Sequence, residues 1–259
     1  MASSDSGLFD LRGRTALVTG GGRGVGEMIA AGLASAGVRV YLTSRDPEVA
    51  AKTAARLGAD AEVHALTADL STTEGCARLA EELADRESAL DILVNNAGTV
   101  ISAPLAEYQA SDWDHVLNVN VRSVFLLTRS LLPLLRAAGS PDSPARVINI
   151  GSLYGSKVPR FNNYSYSASK AAVHMLTRHL AAELAPVVTV NAVAPGMFPS
   201  RMTERIMTKY GDRTRSRVPL GRIGAPDDIA GVVIFLASRA SSFITGALIP
   251  LDGGISSLT

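Results

Sequence analysis

Short apolar, β-branched runs recur along the chain, and each gives way to a stretch whose apolar positions repeat at helical spacing. The runs fall at residues 15–19, 39–43, 62–67, 92–95, 146–150, 187–192 and 248–251. Such alternation predicts an α/β fold with one doubly wound parallel sheet and helices on both of its faces. Val25, Met28, Ile29, Leu33 and Ala36 form one amphipathic stripe, which Gly37 ends. Ser71-Thr72-Thr73-Glu74 has capping-box spacing, and Cys76, Leu79, Ala80 and Leu83 repeat behind it as a buried face. Further helices are expected over residues 112–135 and 166–184. Another starts at Pro226, where Asp227 and Asp228 suit a first turn and Ile229, Val232, Val233 and Leu236 make the stripe. Residues 139–144 are polar and contain Pro and Ser, the composition of a surface loop. With no internal repeat and no long linker, residues 1–259 are expected to make one domain, residues 1–13 being an N-terminal extension.

Composition narrows the function. Lys and Arg number 25 against 24 Asp and Glu, and the net charge of +1 is too small to hold a nucleic acid along the molecule. Cys76 is the only cysteine, which excludes an internal disulfide and fits a reducing compartment. His64, His115, His174 and His179 are scattered without ligand spacing, so no metal is expected. The longest apolar run, residues 229–237, is half the roughly 18 residues of a membrane span. The first residues lack a charged stretch followed by an apolar one, so a soluble, cytoplasmic protein is expected.

Three places carry candidate chemistry. The first strand runs directly into Thr19-Gly20-Gly21-Gly22-Arg23-Gly24-Val25-Gly26 at the start of a helix. Glycines let backbone approach a pyrophosphate, and a helix N-terminus offers free N–H groups and partial positive charge. A tight strand-to-helix turn without a ligand would use the same residues, and the run matches G-x-G-x-x-G in no register. At the end of the second strand, an acidic residue would suit the ribose 2′-OH of NAD, and a cation the 2′-phosphate of NADP. The chain has Ser44 and Arg45 there, with Arg23 as a second cation. Asp46 lies past the strand end, before Pro47.

The third place is the helix of residues 166–184. Tyr166 and Lys170, at i and i+4, share one face. Val173, Leu176, Thr177, Leu180 and Leu184 put Lys170 beside the inward stripe. A positive neighbour favours the phenolate and brings a tyrosine nearer to proton exchange at working pH. An interior tyrosine with a snorkelling lysine is the alternative. Tyr164 has Ala168 four residues on, and Tyr154 reads as a pocket wall. Ser152 follows the fifth strand, and Asn120 by itself suits a polar residue bridging a helix irregularity. Residues 201–222 hold Arg201, Arg205, Lys209, Arg213, Arg215, Arg217 and Arg222 against Glu204 and Asp212. That excess suits an anionic substrate or an acidic carrier, and equally a solvated basic helix.

Taken together, T-G-x-x-x-G-x-G at the first turn, Asn95-Asn96-Ala97-Gly98, Asn120, Ser152, Tyr166-x-x-x-Lys170, Pro195-Gly196 and Leu251-Asp252-Gly253-Gly254 resemble the short-chain dehydrogenase/reductases, in the family's order, from Thr15 to Gly254. The resemblance implies a Rossmann-like fold and a catalytic set of Asn120, Ser152, Tyr166 and Lys170. It implies NADP(H) against Gly20, Arg23, Gly24, Val25, Gly26, Ser44, Arg45, Asp69, Leu70, Asn96, Ala97, Gly98, Tyr166, Lys170, Pro195, Gly196, Met197 and Ser200, where Ser200 stands for the family's common Thr. It also implies a substrate lid over about residues 197–222 and a homotetramer, for which the helix from Pro226 and the strand near Leu248 are apolar enough. The implied reaction is reduction of a substrate carbonyl to a secondary alcohol. APGMFPSRMT looks like 3-oxoacyl reductases of the rhamnolipid type, and LFDLRGRTALVTGG like gluconate 5-dehydrogenases, so a 3-oxoacyl thioester and a sugar acid are the two substrate classes. A protein that binds NADPH without turning it over is the remaining alternative, and it would need neither Ser152 nor the Tyr166 hydroxyl.

Overall fold

Alternate side chains along each strand leave the sheet on opposite faces, and in this chain both sets are apolar. The computed structural model describes residues 7–200, 203 and 215–258. Its strands β1 (Thr15–Val18), β2 (Arg39–Ser44), β3 (Val63–Thr67), β4 (Ile92–Asn95), β5 (Ala145–Ile150), β6 (Val188–Pro195) and β7 (Leu248–Leu251) form one seven-stranded sheet in the order β3-β2-β1-β4-β5-β6-β7. Every neighbouring pair is parallel. The expected fold class is the one observed.

Around the sheet lie α1 (Gly24–Ser35), α2 (Pro47–Leu57), α3 (Thr73–Ala84), α4 (Ala110–Leu117), α5 (Ser123–Ser130), α6 (Leu132–Ala138), α7 (Tyr164–Leu184), α8 (Pro226–Ala237) and the short α9 (Ile255–Leu258). On one face Ala16, Val18, Ile92, Val94 and Ile148 meet Ile29 and Leu33 of α1 and Ile229, Val233 and Leu236 of α8. On the other, Leu17, Leu93, Val147 and Val190 meet Leu79 and Leu83 of α3, Leu127 of α5 and Leu184 of α7. The two cores are interleaved one residue at a time along the same strands.

Two local expectations are corrected, one helix is added, and one expected stripe is found in the core. The helix expected over residues 112–135 is four pieces, because a π-turn at Asn118–Arg122 follows α4 and Pro133 opens a new helix after Leu131. Helix α2 is an addition to the expected helices. Asp46 caps it, its carboxylate accepting from the Glu48 and Val49 amides. The cap of α3 is Thr72, which accepts from Gly75 N, while Ser71 donates to Asp69 instead. In α8 the inner stripe is core, packed so closely on α1 that a Cβ at Gly32 would lie 2.5 Å from that of Ala230.

Candidate active site

The sites of interest all lie on loops that leave the carboxyl ends of the strands, where a parallel sheet gathers its ligand contacts. After β1, Gly20 and Gly24 take φ of +63° and +57°, open to glycine without strain. A Cβ at Gly26 would fall 2.3 Å from the Gly20 carbonyl oxygen, so α1 is seated on the turn with no room for a side chain. Arg23 precedes α1 and makes no side-chain cap, which leaves the first-turn N–H groups facing the loop. The ends of β2 and β6 close on this turn: a Cβ on Gly22 would lie 3.3 Å from Ser44 Cβ, and one on Gly24 3.3 Å from Ser200 Cβ. Arg45 is exposed at the end of β2. Ala68 N donates to Ser44 O at 3.1 Å, drawing Asp69 and the buried Leu70 alongside. The Ser71 amide and hydroxyl hold the Asp69 carboxyl below the usual carboxylate range, and Arg45 adds to this from across the gap.

This arrangement fits a phosphorylated dinucleotide. The turn is a cradle that side chains would fill, one helix N-terminus points at it, and the exposed cations Arg23 and Arg45 lie beside it.

The loop after β4 is stitched to β1 by Thr19, whose Oγ1 accepts from the Asn96 and Ala97 amides at 2.9 and 3.0 Å. Asn96 Nδ2 returns a bond to Thr19 O at 2.8 Å. A Cβ on Gly98 would lie 3.5 Å from Asn120 Oδ1 and 3.6 Å from Lys170 Nζ, so three of the sequence-predicted positions converge. Asn120, on the π-turn, accepts from Thr99 N at 2.8 Å and donates to Thr99 O at 3.0 Å and to Ser169 Oγ at 2.9 Å. The π-turn displaces the helix just where this side chain must reach the loop, so both the helix irregularity and the polar contact exist.

Lys170 is 4% exposed and donates to Ile150 O at 2.7 Å. Its ammonium lies 5.7 Å from the centre of the Tyr166 ring. Burial pushes the lysine down to about 8. Burial also pushes the Tyr166 phenol up, and the group that opposes this is Ser152, hydrogen-bonded to the hydroxyl. The dominant influences on the Tyr166 phenol in this structure are therefore burial and the Ser152 hydrogen bond, with the Lys170 ammonium standing close to the ring. Ser152 Oγ also accepts from Tyr154 N at 3.2 Å. Tyr154 sits in the loop wall with its ring edge-on to Phe161.

Pro195 ends β6, and Gly196 follows so close to β7's exit that a Cβ would lie 2.8 Å from Asp252 Cβ. Of the basic stretch, Arg201, Arg205, Lys209 and Arg213, with Glu204 and Asp212, lie outside the described residues. Arg222 is paired with Asp228 at 2.6 Å, so this cation belongs to the start of α8.

The sequence missed four supports. Thr19 was visible only as the head of the glycine motif, Thr99 acts through its backbone, and Ser169 was one residue of Tyr-x-x-x-Lys. His174 had a signal in its i+4 spacing from Lys170. Its buried ring lies against the Ser152 loop, where Cβ atoms at Gly151 and Gly155 would come within 2.4 Å of it. Among the described residues no group of three or more His, Cys, Asp or Glu could hold a metal ion.

A parallel sheet in this order, with a glycine turn after β1 and a Ser, Tyr and Lys set after β5, defines an oxidoreductase of the dinucleotide-binding kind. The chain belongs to the short-chain dehydrogenase/reductases, and the family model described as enoyl-(acyl carrier protein) reductase matches residues 20–256. It is similar to the rhamnolipids biosynthesis 3-oxoacyl-[acyl-carrier-protein] reductase of Pseudomonas aeruginosa, 49% identical over 249 residues, covering 95% of this chain and 97% of the relative. It is 36% identical over 258 residues to gluconate 5-dehydrogenase of Gluconobacter oxydans, covering 96% of each. The Pseudomonas aeruginosa RhlG/NADP active-site complex superposes with a TM-score of 0.93 at 48% identity, over 96% of this chain and 98% of that one.

Proposed function

We propose that the protein reduces a carbonyl of a 3-oxoacyl thioester with NADPH. The observation that carries this reading is the convergence of Asn120, Ser152, Tyr166 and Lys170 beside a glycine turn flanked by Arg23 and Arg45. Bound NADPH supplies a hydride to the carbonyl carbon. The Ser152 hydroxyl donates a hydrogen bond to the carbonyl oxygen, and the Tyr166 hydroxyl gives it a proton as charge develops there. Lys170 holds the ribose and supplies positive charge to the phenol, and Asn120 fixes the loop after β4 and a water path for reprotonation. Gly20, Gly24, Val25 and Gly26 take the pyrophosphate, and Ser44 and Arg45 the 2′-phosphate. Asp69 and Leu70 flank the adenine, while Asn96, Ala97 and Gly98, with Pro195, Gly196, Met197 and Ser200, line the nicotinamide side.

The proposal extends to a one-domain enzyme with a lid over residues 197–222, a cytoplasmic location and a homotetramer. No helix among the described residues is long and apolar enough to cross a membrane. Two separate faces support self-association. One is the half-exposed edge strand β7 with the fully exposed Phe243. The other is a cleft lined by Phe125, Leu132 and Leu180, in which Arg129 and Glu183 would pair across a two-fold axis.

A sugar acid is the second substrate class, favoured by the gluconate 5-dehydrogenase likeness. A panel of 3-oxoacyl thioesters, diketones and 5-oxo sugar acids, with NADPH oxidation followed by absorbance, separates the two. The thioesters should be turned over fastest. Faster turnover of the sugar acid would replace this reading, and turnover of none would favour a binding protein.

A further inference from the structure

We infer that Leu105, Val158, Leu220 and Leu258 form a subsite for the hydrocarbon tail of the substrate; this rests on the proposed carbonyl reduction. These side chains are 72%, 90%, 68% and 73% exposed. Scattered singly, exposed apolar residues need no explanation, but these four share one place in the fold. Each lies in the segment that follows a different one of four consecutive strands, β4, β5, β6 and β7, at the carboxyl end of the sheet that holds Ser152 and Tyr166, Leu258 being the last residue of α9.

The four loops are tied into one rim. Ala103 N donates to Asn162 O at 3.1 Å, joining the loops after β4 and β5. Lys157 Nζ donates to Ile255 O at 2.9 Å, joining the β5 loop, beside Val158, to the turn and short helix α9 that end in Leu258. Leu220 N donates to Gly253 O at 3.2 Å, joining the loop after β6 to the same turn. Between β6 and β7 a cavity of about 60 Å³ opens beside Leu220, lined by Met197, Phe198, Val218 and Leu220 and also by Arg222, Asp228 and Asp252. Met197 follows Pro195-Gly196, which the proposed reading puts on the nicotinamide side, so the cavity adjoins that side of the site.

A sugar acid brings hydroxyls on every carbon and would gain nothing from such a surface. An acyl tail gains from each methylene it lays down. A fully buried methylene is worth about 0.8 kcal/mol, and on an open rim about half of that is realised, so kcat/KM should rise about twofold per methylene.

The test uses N-acetylcysteamine thioesters of acetoacetic, 3-oxohexanoic and 3-oxodecanoic acids on the full chain, with kcat/KM read as the ratio of long to short substrate. The wild-type ratio should rise along the series, and Val158→Asp and Leu105→Asp should bring it toward one. Val158→Leu should keep it. If no carbonyl compound is reduced at all, the reaction reading itself fails. If the acetoacetyl thioester is reduced as efficiently as the longest one, or the Asp variants keep the wild-type ratio, the subsite is wrong and the reaction reading stands. If the ratio falls only together with a change of mass in light scattering, the rim is a contact between subunits and the inference is overturned.

Discussion

The two ends of one sheet treat charge in opposite ways. At the amino ends of the strands, cations meet carboxylates: Arg14 pairs with Asp91 at 2.6 Å, and Arg39 with Glu62 at 2.6 Å and Glu87 at 3.0 Å. Even the buried Arg146 finds oxygens there, donating to Ser238 O at the C-terminal end of α8 and to Ser242 Oγ. At the carboxyl ends Arg222 is paired with Asp228 at the rim, but the buried cation Lys170 has a backbone carbonyl for a partner and no carboxylate paired with it among the described residues. The amino end holds the fold together, and the carboxyl end keeps its charge available. Substitutions at the two ends should therefore fail differently, one in stability and the other in turnover.

Tyr166 aside, the largest effect is expected at Lys170. Lys170→Ala should lower kcat by about 10²- to 10³-fold and also weaken NADPH binding, measured by cofactor titration, because the side chain serves both. Ser152→Ala should lower kcat comparably and leave cofactor affinity within twofold. The lysine also sets a pH limb. Its ammonium is held down at about 8, so activity that needs the charge is full well below that pH and falls as pH rises through it. Stability moves the other way, since the cost of burying the charge is relieved between about 8 and the ordinary value of 10.5. A reductive rate that is flat from pH 7 to 10 would break this account of Lys170.

Most of the sheet was legible because buried parallel strands are short apolar runs, and spacing put Tyr166 and Lys170 on one helix face, whereas Ser152 entered through the family resemblance. What escaped was local. Helix α2 is rich in alanine, so its buried face, Ala50, Thr53 and Ala54, leaves little periodic signal, and the Asp46-Pro47 start was the usable cue. The break at Asn118–Arg122 was hidden because a π-turn shifts the period by a single residue. The roles of Thr19 and Thr99 depend on which strands become neighbours, and that is settled by tertiary packing.

Next in size is cofactor choice. Arg45→Asp removes a cation and adds a charge that repels the 2′-phosphate, each charge-assisted contact being worth about 1.5–3 kcal/mol. The ratio of kcat/KM for NADPH over NADH should be at least about tenfold in the wild type and should reverse in the variant. Equal efficiency with both cofactors before substitution would remove Arg45 from the site.

The smallest effect probes the other end of the sheet. Asp91 accepts from Arg14 and from Thr15 N, and Asp91→Asn should lower unfolding stability by about 1–2 kcal/mol with kcat unchanged. A fall in kcat without a shift in the denaturant midpoint would blur the division between the two ends.

The central claim is that one hydroxyl delivers the proton, and Tyr166→Phe tests it with a single atom removed. NADPH oxidation with a 3-oxoacyl thioester should slow by about 10²- to 10⁴-fold, while NADPH affinity and the thermal midpoint stay near wild type. Tyr164→Phe and Tyr154→Phe should remain active. Retained turnover in Tyr166→Phe, with loss in either of the other two, would contradict the account.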